Sequence, residues 1–144
     1  MEEHISMTAI GIAVIAHFVL GFIWYTPLFG KIWAKEMGME NMEADKEAMK
    51  KAMIKGMVIM LIGNFFMAYV FSHNMAAWEF VPGMEEMGIV GKAMNAAIFT
   101  WLGFFLPVDL GTITWEQKSF KLFAINTGYH LASLVLVAFI LASF

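Results

Sequence analysis

The sequence contains no cysteine and no arginine, and only 15% of its 144 residues are charged. Without cysteine, the chain can form no disulfide, no thiolate metal site and no iron–sulfur cluster, and it has no thiol nucleophile. It also lacks a basic patch with interleaved aromatic residues, so nucleic-acid binding has no support. The formal net charge of −3 is too small to indicate a partner.

Apolar residues make up 60% of the chain, far more than the surface of a small soluble domain tolerates. They occur in blocks rather than in alternation, and each block is close to the roughly 20 residues that span a bilayer as a helix. The sequence therefore predicts an all-α integral membrane four-helix bundle, a single transmembrane domain over residues 1–144. The predicted spans are about 5–25, 53–73, 88–110 and 122–142.

The loop over residues 26–52 is the longest connection between predicted spans. Its second half is strongly helix-forming, and Glu47 faces Lys50 and Lys51 at the i+3 and i+4 spacings that stabilise a helix. Asn41 is a candidate N-cap. We expect this helix to continue unbroken into the second span as a cytoplasmic extension.

Lysine placement predicts the orientation. Every lysine except Lys92 flanks the first or the third loop, and with four spans these two loops share one side. Lysine-rich short loops stay in the cytoplasm. We therefore expect a multi-pass protein of the cell membrane with loops 26–52 and 111–121 cytoplasmic. Both termini would lie outside, and the acidic start, with Glu2 and Glu3, argues against a cleaved signal peptide.

The first and third spans share a pattern of residues. Leu-Gly-Phe at 20–22, followed by Pro27, resembles Leu-Gly-Phe at 102–104, followed by Pro107. These spans run in the same direction, so a duplicated helix pair would be related by an axis along the membrane normal. Chance similarity is the competing interpretation, because glycine, proline and aromatic residues are common at membrane interfaces.

Polar residues on the fourth span form the most informative pattern. Asn126, Tyr129, His130 and Ser133 recur at i+3 and i+4 spacings, so they share one face of the helix. This face should point into the bundle, because polar groups are costly against lipid. His17 of the first span lies about eight residues from the inner end of its helix, as His130 does. The two histidines are therefore predicted to lie at the same depth.

Three interpretations of these polar residues stay open. They form interhelical hydrogen bonds that hold the helices in register, or they line a pocket for a small solute, an ion or a lipid headgroup. In the third interpretation, the two histidines ligate a metal or a haem axially. The spacing of the histidines gives little support to a metal site or to a haem site, so no metal and no cofactor is predicted. The predicted ligand-binding residues are His17, Asn64, Asn126, Tyr129, His130 and Ser133, with Trp24, Lys31 and Asp109 at the pocket mouth.

Three further features have a structural and a functional interpretation. Methionines at 49, 53, 57, 60 and 67 form one stripe along the second span, which favours adaptable packing over a Cu(I) site. Asp109 is interpreted as a solvated residue at a helix end, or else as a partner of Lys31 or Lys121. The tryptophans, Trp24 and Trp101 among them, are interpreted as interfacial anchors.

The segment from Gly21 to Trp33, GFIWYTPLFGKIW, resembles the signature of a family of small bacterial and archaeal membrane proteins catalogued as domain of unknown function 1761. Residues 115–130 are similar to the closing segment of that family. The resemblance covers nearly the whole chain, and the loop over residues 36–55 matches least well. It implies a compact multi-span membrane protein without an assigned activity, and it supplies no catalytic or binding residues.

The sequence offers no nucleophile–base pair, no paired carboxylates within one span and no phosphate-binding glycine loop, which speaks against an enzyme. We expect a non-enzymatic module, surrounded by membrane lipids, with a polar pocket in its cytoplasmic half. It would assemble as a homo-oligomer or within a larger membrane complex. The alternative is a structural accessory subunit in which the same polar residues only join helices.

Overall fold

The computed structural model describes residues 5–39 and 46–144. Within these residues the chain forms helices and no strand. Four stretches are long and apolar enough to cross a membrane, and they pack as a bundle, so the predicted fold class is confirmed. They are Met7–Leu28, Lys46–Trp78, Ile89–Thr114 and Phe120–Ala142.

Two of the four spans contain a widened π-helical turn. The first span consists of α1 and a π turn, and a short helix α2 follows it. The second span is the single helix α3, the third consists of α4, a π turn and α5, and the fourth is α6. The bounds are α1 Met7–Ile23, first π turn Trp24–Leu28, α2 Gly30–Glu36, α3 Lys46–Trp78, α4 Ile89–Thr100, second π turn Trp101–Phe105, α5 Leu106–Thr114 and α6 Phe120–Ala142.

Helix α6 is the centre of the bundle. It packs against α1 on one side and against α4 and α5 on the other, while α3 packs mainly on α1. The core where these helices meet is rich in alanine, including Ala13, Ala97 and Ala138, each fully buried. Small side chains at such contacts let the helix backbones approach closely. Most large apolar side chains of α3 are exposed, as expected of a helix that faces lipid.

The predicted extension of the second span is present. α3 runs unbroken over 33 residues, which is roughly 50 Å at 1.5 Å per residue. A bilayer core is only about 30 Å thick, so one end of α3 projects beyond it. Residues 43–45 of the predicted extension and the predicted cap Asn41 lie outside the described residues.

Pro107 does not end the third span, which continues to Thr114 rather than stopping near residue 110. The π turn directly before this proline provides the physical reason. Proline clashes with the carbonyl of residue i−4 in a regular α-helix, and a π turn shifts the hydrogen bonds by one residue. The Leu106 amide accordingly donates to the Trp101 carbonyl, five residues earlier.

The first π turn contains Pro27 and ends with a tight backbone contact. The Phe29 amide donates to the Trp24 carbonyl at 2.9 Å. A Cβ atom on residue 30 would lie 2.6 Å from the Tyr25 carbonyl oxygen, closer than non-bonded atoms approach. Gly30 is therefore the residue that lets α2 begin directly after the first span.

The proposed duplication stays a prediction. Both π turns begin at a tryptophan, Trp24 in the first span and Trp101 in the third. A two-fold axis would relate the first and second spans to the third and fourth. If Trp24 of the first span contacts the fourth span, Trp101 of the third span would then contact the second span. Here both bond to α6, so these two contacts do not follow such symmetry.

The orientation also stays a prediction, and cysteine labelling tests it directly because the chain has no cysteine of its own. Lys50→Cys on α3 and Glu85→Cys between the second and third spans are both at exposed positions. We expect a membrane-impermeant maleimide, added to intact cells, to label the residue 85 variant and to spare the residue 50 variant until the cells are lysed. The reverse labelling pattern would show that the lysine rule gives the wrong orientation.

Candidate functional site

Tyr129 of α6 is the residue around which the predicted site is organised. It is buried, and its ring contacts His17 of α1 at a centroid distance of 5.7 Å. Tyr25 contacts the same ring at 5.0 Å and Trp24 at 6.2 Å. The first and fourth spans are therefore neighbours in the bundle.

The first π turn directs two aromatic side chains onto α6. The Trp24 Nε1–H donates to the Ile125 carbonyl oxygen at 3.0 Å, and the Tyr25 hydroxyl donates to Asn126 Oδ1 at 3.0 Å. The interpretation of Trp24 as an interfacial anchor stays a prediction. Its indole is held by the backbone of the neighbouring helix.

Trp101 repeats this arrangement from the other side of α6. Its Nε1–H lies 3.1 Å from both the carbonyl oxygen and the hydroxyl oxygen of Thr127. The interfacial-anchor interpretation of Trp101 also stays a prediction, although Trp101 lies well inside a predicted span rather than at its end.

Asp109 is buried, with 6% of its surface exposed, and it pairs with His130. The distance from His130 Nδ1 to Asp109 Oδ2 is 2.8 Å. The prediction of a solvated helix-end residue, or of a partner of Lys31 or Lys121, is therefore wrong. The reason is that the third span continues past Pro107, which leaves Asp109 inside the helix and facing α6. Lys31 is exposed on α2.

Ser133 and His130 are the remaining predicted residues on α6. Ser133 is buried, and its hydroxyl donates to the His130 carbonyl oxygen at 3.0 Å within the same helix. The ring of Phe105, from the second π turn, covers His130 at a centroid distance of 5.1 Å. Together with the bond to Asp109, these contacts fix the position of His130 between α5 and α6.

A cavity of about 340 Å³ lies between α1 and α3, with Tyr129 of α6 in its wall. We call it the α1–α3 cavity. Of the predicted ligand-binding residues, Asn64 and Tyr129 line it, whereas neither histidine does. The methionine stripe of α3 supplies much of one wall. The lining residues are Phe18, Gly21, Phe22, Tyr25, Thr26, Met53, Met57, Met60, Asn64 and Tyr129.

Three buried polar side chains near this cavity have no protein partner within the described residues. Both ring nitrogens of His17 lack a hydrogen bond. The side-chain amide of Asn64, which is only 3% exposed, makes none, and neither does the Tyr129 hydroxyl. Buried polar groups are almost always hydrogen-bonded. Of these three side chains only His17 has fully buried atoms without a partner, because the polar atoms of Asn64 and Tyr129 keep accessible surface in the cavity that they line.

Gly21 sets the approach of α1 to Tyr129. A Cβ atom at this position would lie 2.9 Å from the Tyr129 hydroxyl oxygen. A larger side chain would therefore displace the hydroxyl and fill the adjoining space. The glycine thus keeps both the cavity and the position of Tyr129.

The geometry disfavours a haem between the histidines. The ring of Tyr129 contacts the rings of both His17 and His130, at 5.7 and 5.9 Å. A porphyrin with both as axial ligands would need the space that this ring occupies. Among the described residues, no group of three His, Asp or Glu side chains is placed to hold a metal ion.

A second cavity, of about 520 Å³, lies at the opposite ends of the spans. It contains an ion pair between Lys92 Nζ and Glu79 Oε2, at 2.6 Å. The two charges neutralise each other, so the ion pair leaves neither charge unpaired in this cavity.

A family model described as a protein of unknown function (DUF1761) matches residues 8–142, nearly the whole chain. No curated protein and no solved structure matched in the corresponding searches.

Proposed function

Since the chain belongs to the family described as protein of unknown function (DUF1761), we propose from its own geometry that it is a non-enzymatic membrane module that binds a small molecule in the α1–α3 cavity. The observation that carries this proposal is that Asn64 and Tyr129 both line the cavity and that neither side chain makes a hydrogen bond within the described residues. A ligand in the cavity can form hydrogen bonds with these two side chains, each worth about 0.5–1.5 kcal/mol net.

The cavity is large enough for a small ligand and is shaped by defined residues. Its volume of about 340 Å³ lies within the range of about 300–1,000 Å³ that is typical of ligand pockets. Apolar and aromatic side chains form most of its wall, with a few polar groups, as in most small-molecule sites. Tyr129 is held in place by Tyr25 and Trp24, whose own bonds to α6 fix them.

Filling the cavity tests the proposal. In Gly21→Leu the new side chain occupies the space beside Tyr129, so we expect the variant to lose the small molecule that co-purifies with the wild-type protein. The measurement is mass spectrometry of organic extracts from protein purified out of native membranes, with the molar ratio of each compound to protein.

The matched control is Gly63→Leu on α3, where an added Cβ meets nothing within 4 Å. This variant should retain the wild-type compound and its molar ratio. If the wild-type protein and both variants carried the same set of compounds in the same ratios, binding in the α1–α3 cavity would be disproved.

The second candidate function is that of a structural accessory subunit, which would assemble with copies of itself or with a larger complex. Four side-chain bonds favour it, because each joins α6 to the first or third span. In that role the polar residues only hold helices together. The extraction experiment separates the two functions, since an accessory subunit carries no bound compound that depends on Gly21.

A further inference from the structure

We infer that the ligand of the α1–α3 cavity is an uncharged, lipid-soluble ketone or quinone that enters from the bilayer, an inference that rests on the proposed function. Among the described residues, no charged side chain lines the cavity. An ion or a charged headgroup would therefore be buried without a counter-charge, which is strongly unfavourable inside a membrane. The ligand must be neutral.

The cavity is open toward the lipid rather than enclosed by the bundle. Its outer wall is formed by Phe22, Met53 and Met60, each about half exposed on the surface of the spans. The first span and α3 supply every lining residue except Tyr129. A molecule dissolved in the hydrocarbon phase can therefore reach the cavity sideways, between the first and second spans.

Asn64 lies at the deep end of the cavity. Asn64 is nine residues beyond Lys55, roughly 13 Å along the helix, whereas Met53 lies at the inner end of the same wall. A phospholipid chain that entered from the interface would place its methyl end against Asn64 and could form no hydrogen bond with it. A ligand that carries a polar atom on an apolar body can place that atom against Asn64 and bond to it.

The two unpartnered groups can both donate to a single hydrogen-bond acceptor. The Tyr129 hydroxyl and the Asn64 amide nitrogen can both donate, and a carbonyl oxygen has two lone pairs to accept both bonds. Both side chains line the same cavity, and neither makes a hydrogen bond within the described residues. The flexible thioethers of Met53, Met57 and Met60 adapt to an apolar body.

Photolabelling with benzophenone, an uncharged aromatic ketone, tests this inference on the full chain in lipid vesicles. We expect cross-links on peptides that contain residues 18–26 and 53–64. We expect 2-tridecanone to suppress these cross-links at about tenfold lower membrane concentration than tridecane, which differs mainly by lacking the carbonyl oxygen. Tenfold is the factor that a hydrogen bond of typical net strength contributes.

Two variants locate the preference for the ketone. Tyr129→Phe keeps the ring and removes the hydroxyl, and Asn64→Leu removes the amide; each should reduce the tenfold preference to about threefold or less. Asn95→Leu on α4 is the control for the Asn-to-Leu change, because Asn95 does not line the cavity. It should leave the preference unchanged. A monodisperse gel-filtration profile for each variant establishes that it is folded.

Two results would overturn the inference, and they differ in what else they remove. Equal competition by the ketone and the hydrocarbon, with cross-links still inside the cavity, would disprove the carbonyl ligand and leave the proposed binding function in place. Cross-links spread over all lipid-facing residues, with no competition in the cavity, would disprove both.

Discussion

Replacing His130 with leucine is expected to lower the free energy of unfolding by about 3 kcal/mol, because it leaves the carboxylate of Asp109 buried without its partner. Asp109 is 6% exposed, and its Oδ2 lies 2.8 Å from His130 Nδ1. The measurement is unfolding of the purified protein in mixed micelles with an increasing fraction of dodecyl sulfate. Circular dichroism follows the loss of helix.

The double variant Asp109→Leu/His130→Leu is the control for this prediction. It removes both polar partners, so no unpaired carboxylate remains. A substantial part of the lost stability should return, since replacing a buried pair by apolar residues is often close to neutral. If the single variant were as stable as the wild type, or the double variant less stable than the single one, the pairing of Asp109 with His130 would not contribute as proposed.

The features that the sequence predicted correctly depend on short stretches of chain. Each span is visible because about 20 apolar residues follow one another. The extension of α3 is visible because residues 46–52 favour a helix and no proline separates them from the apolar stretch. The polar face of α6 follows from i+3 and i+4 spacing alone. None of these inferences requires knowledge of a neighbouring helix.

The environment of Asp109 could not be predicted in the same way. It depends on where the third span ends, and the sequence predicted an end near residue 110. The π turn before the proline lets the helix continue to Thr114. No residue pattern marked that turn, because a π turn differs from an α turn by one residue in its hydrogen bonding.

The predicted polar pocket stays a prediction. Of its predicted residues, Asn64 and Tyr129 line the α1–α3 cavity, whereas His17, Asn126, His130 and Ser133 do not. The ring of Tyr129 contacts both histidines. The methionines of α3 were interpreted as packing surface, because periodicity shows which residues share a face but not which helix covers that face.

Replacing Ala138 with leucine is expected to lower the free energy of unfolding by about 2 kcal/mol, because extra methylene groups cannot be accommodated in a closely packed core. Ala138 is on α6, is fully buried and belongs to the core where α6 meets its neighbours. In a membrane, the association of helices depends on close packing of small residues rather than on the hydrophobic effect. The larger side chain would push the helices apart where the backbones approach.

Ala124→Leu is the matched control, since Ala124 lies on the same helix but is exposed. Its effect should be within about 0.5 kcal/mol of zero, measured by the same unfolding assay in mixed micelles. The second measurement is disulfide cross-linking between cysteines introduced on α4 and α6, which should slow in Ala138→Leu and not in Ala124→Leu. Equal stability of the two variants would mean that α6 is not packed at Ala138 as the core requires. The bundle would then tolerate a wider separation of its helices than its alanine-rich core indicates.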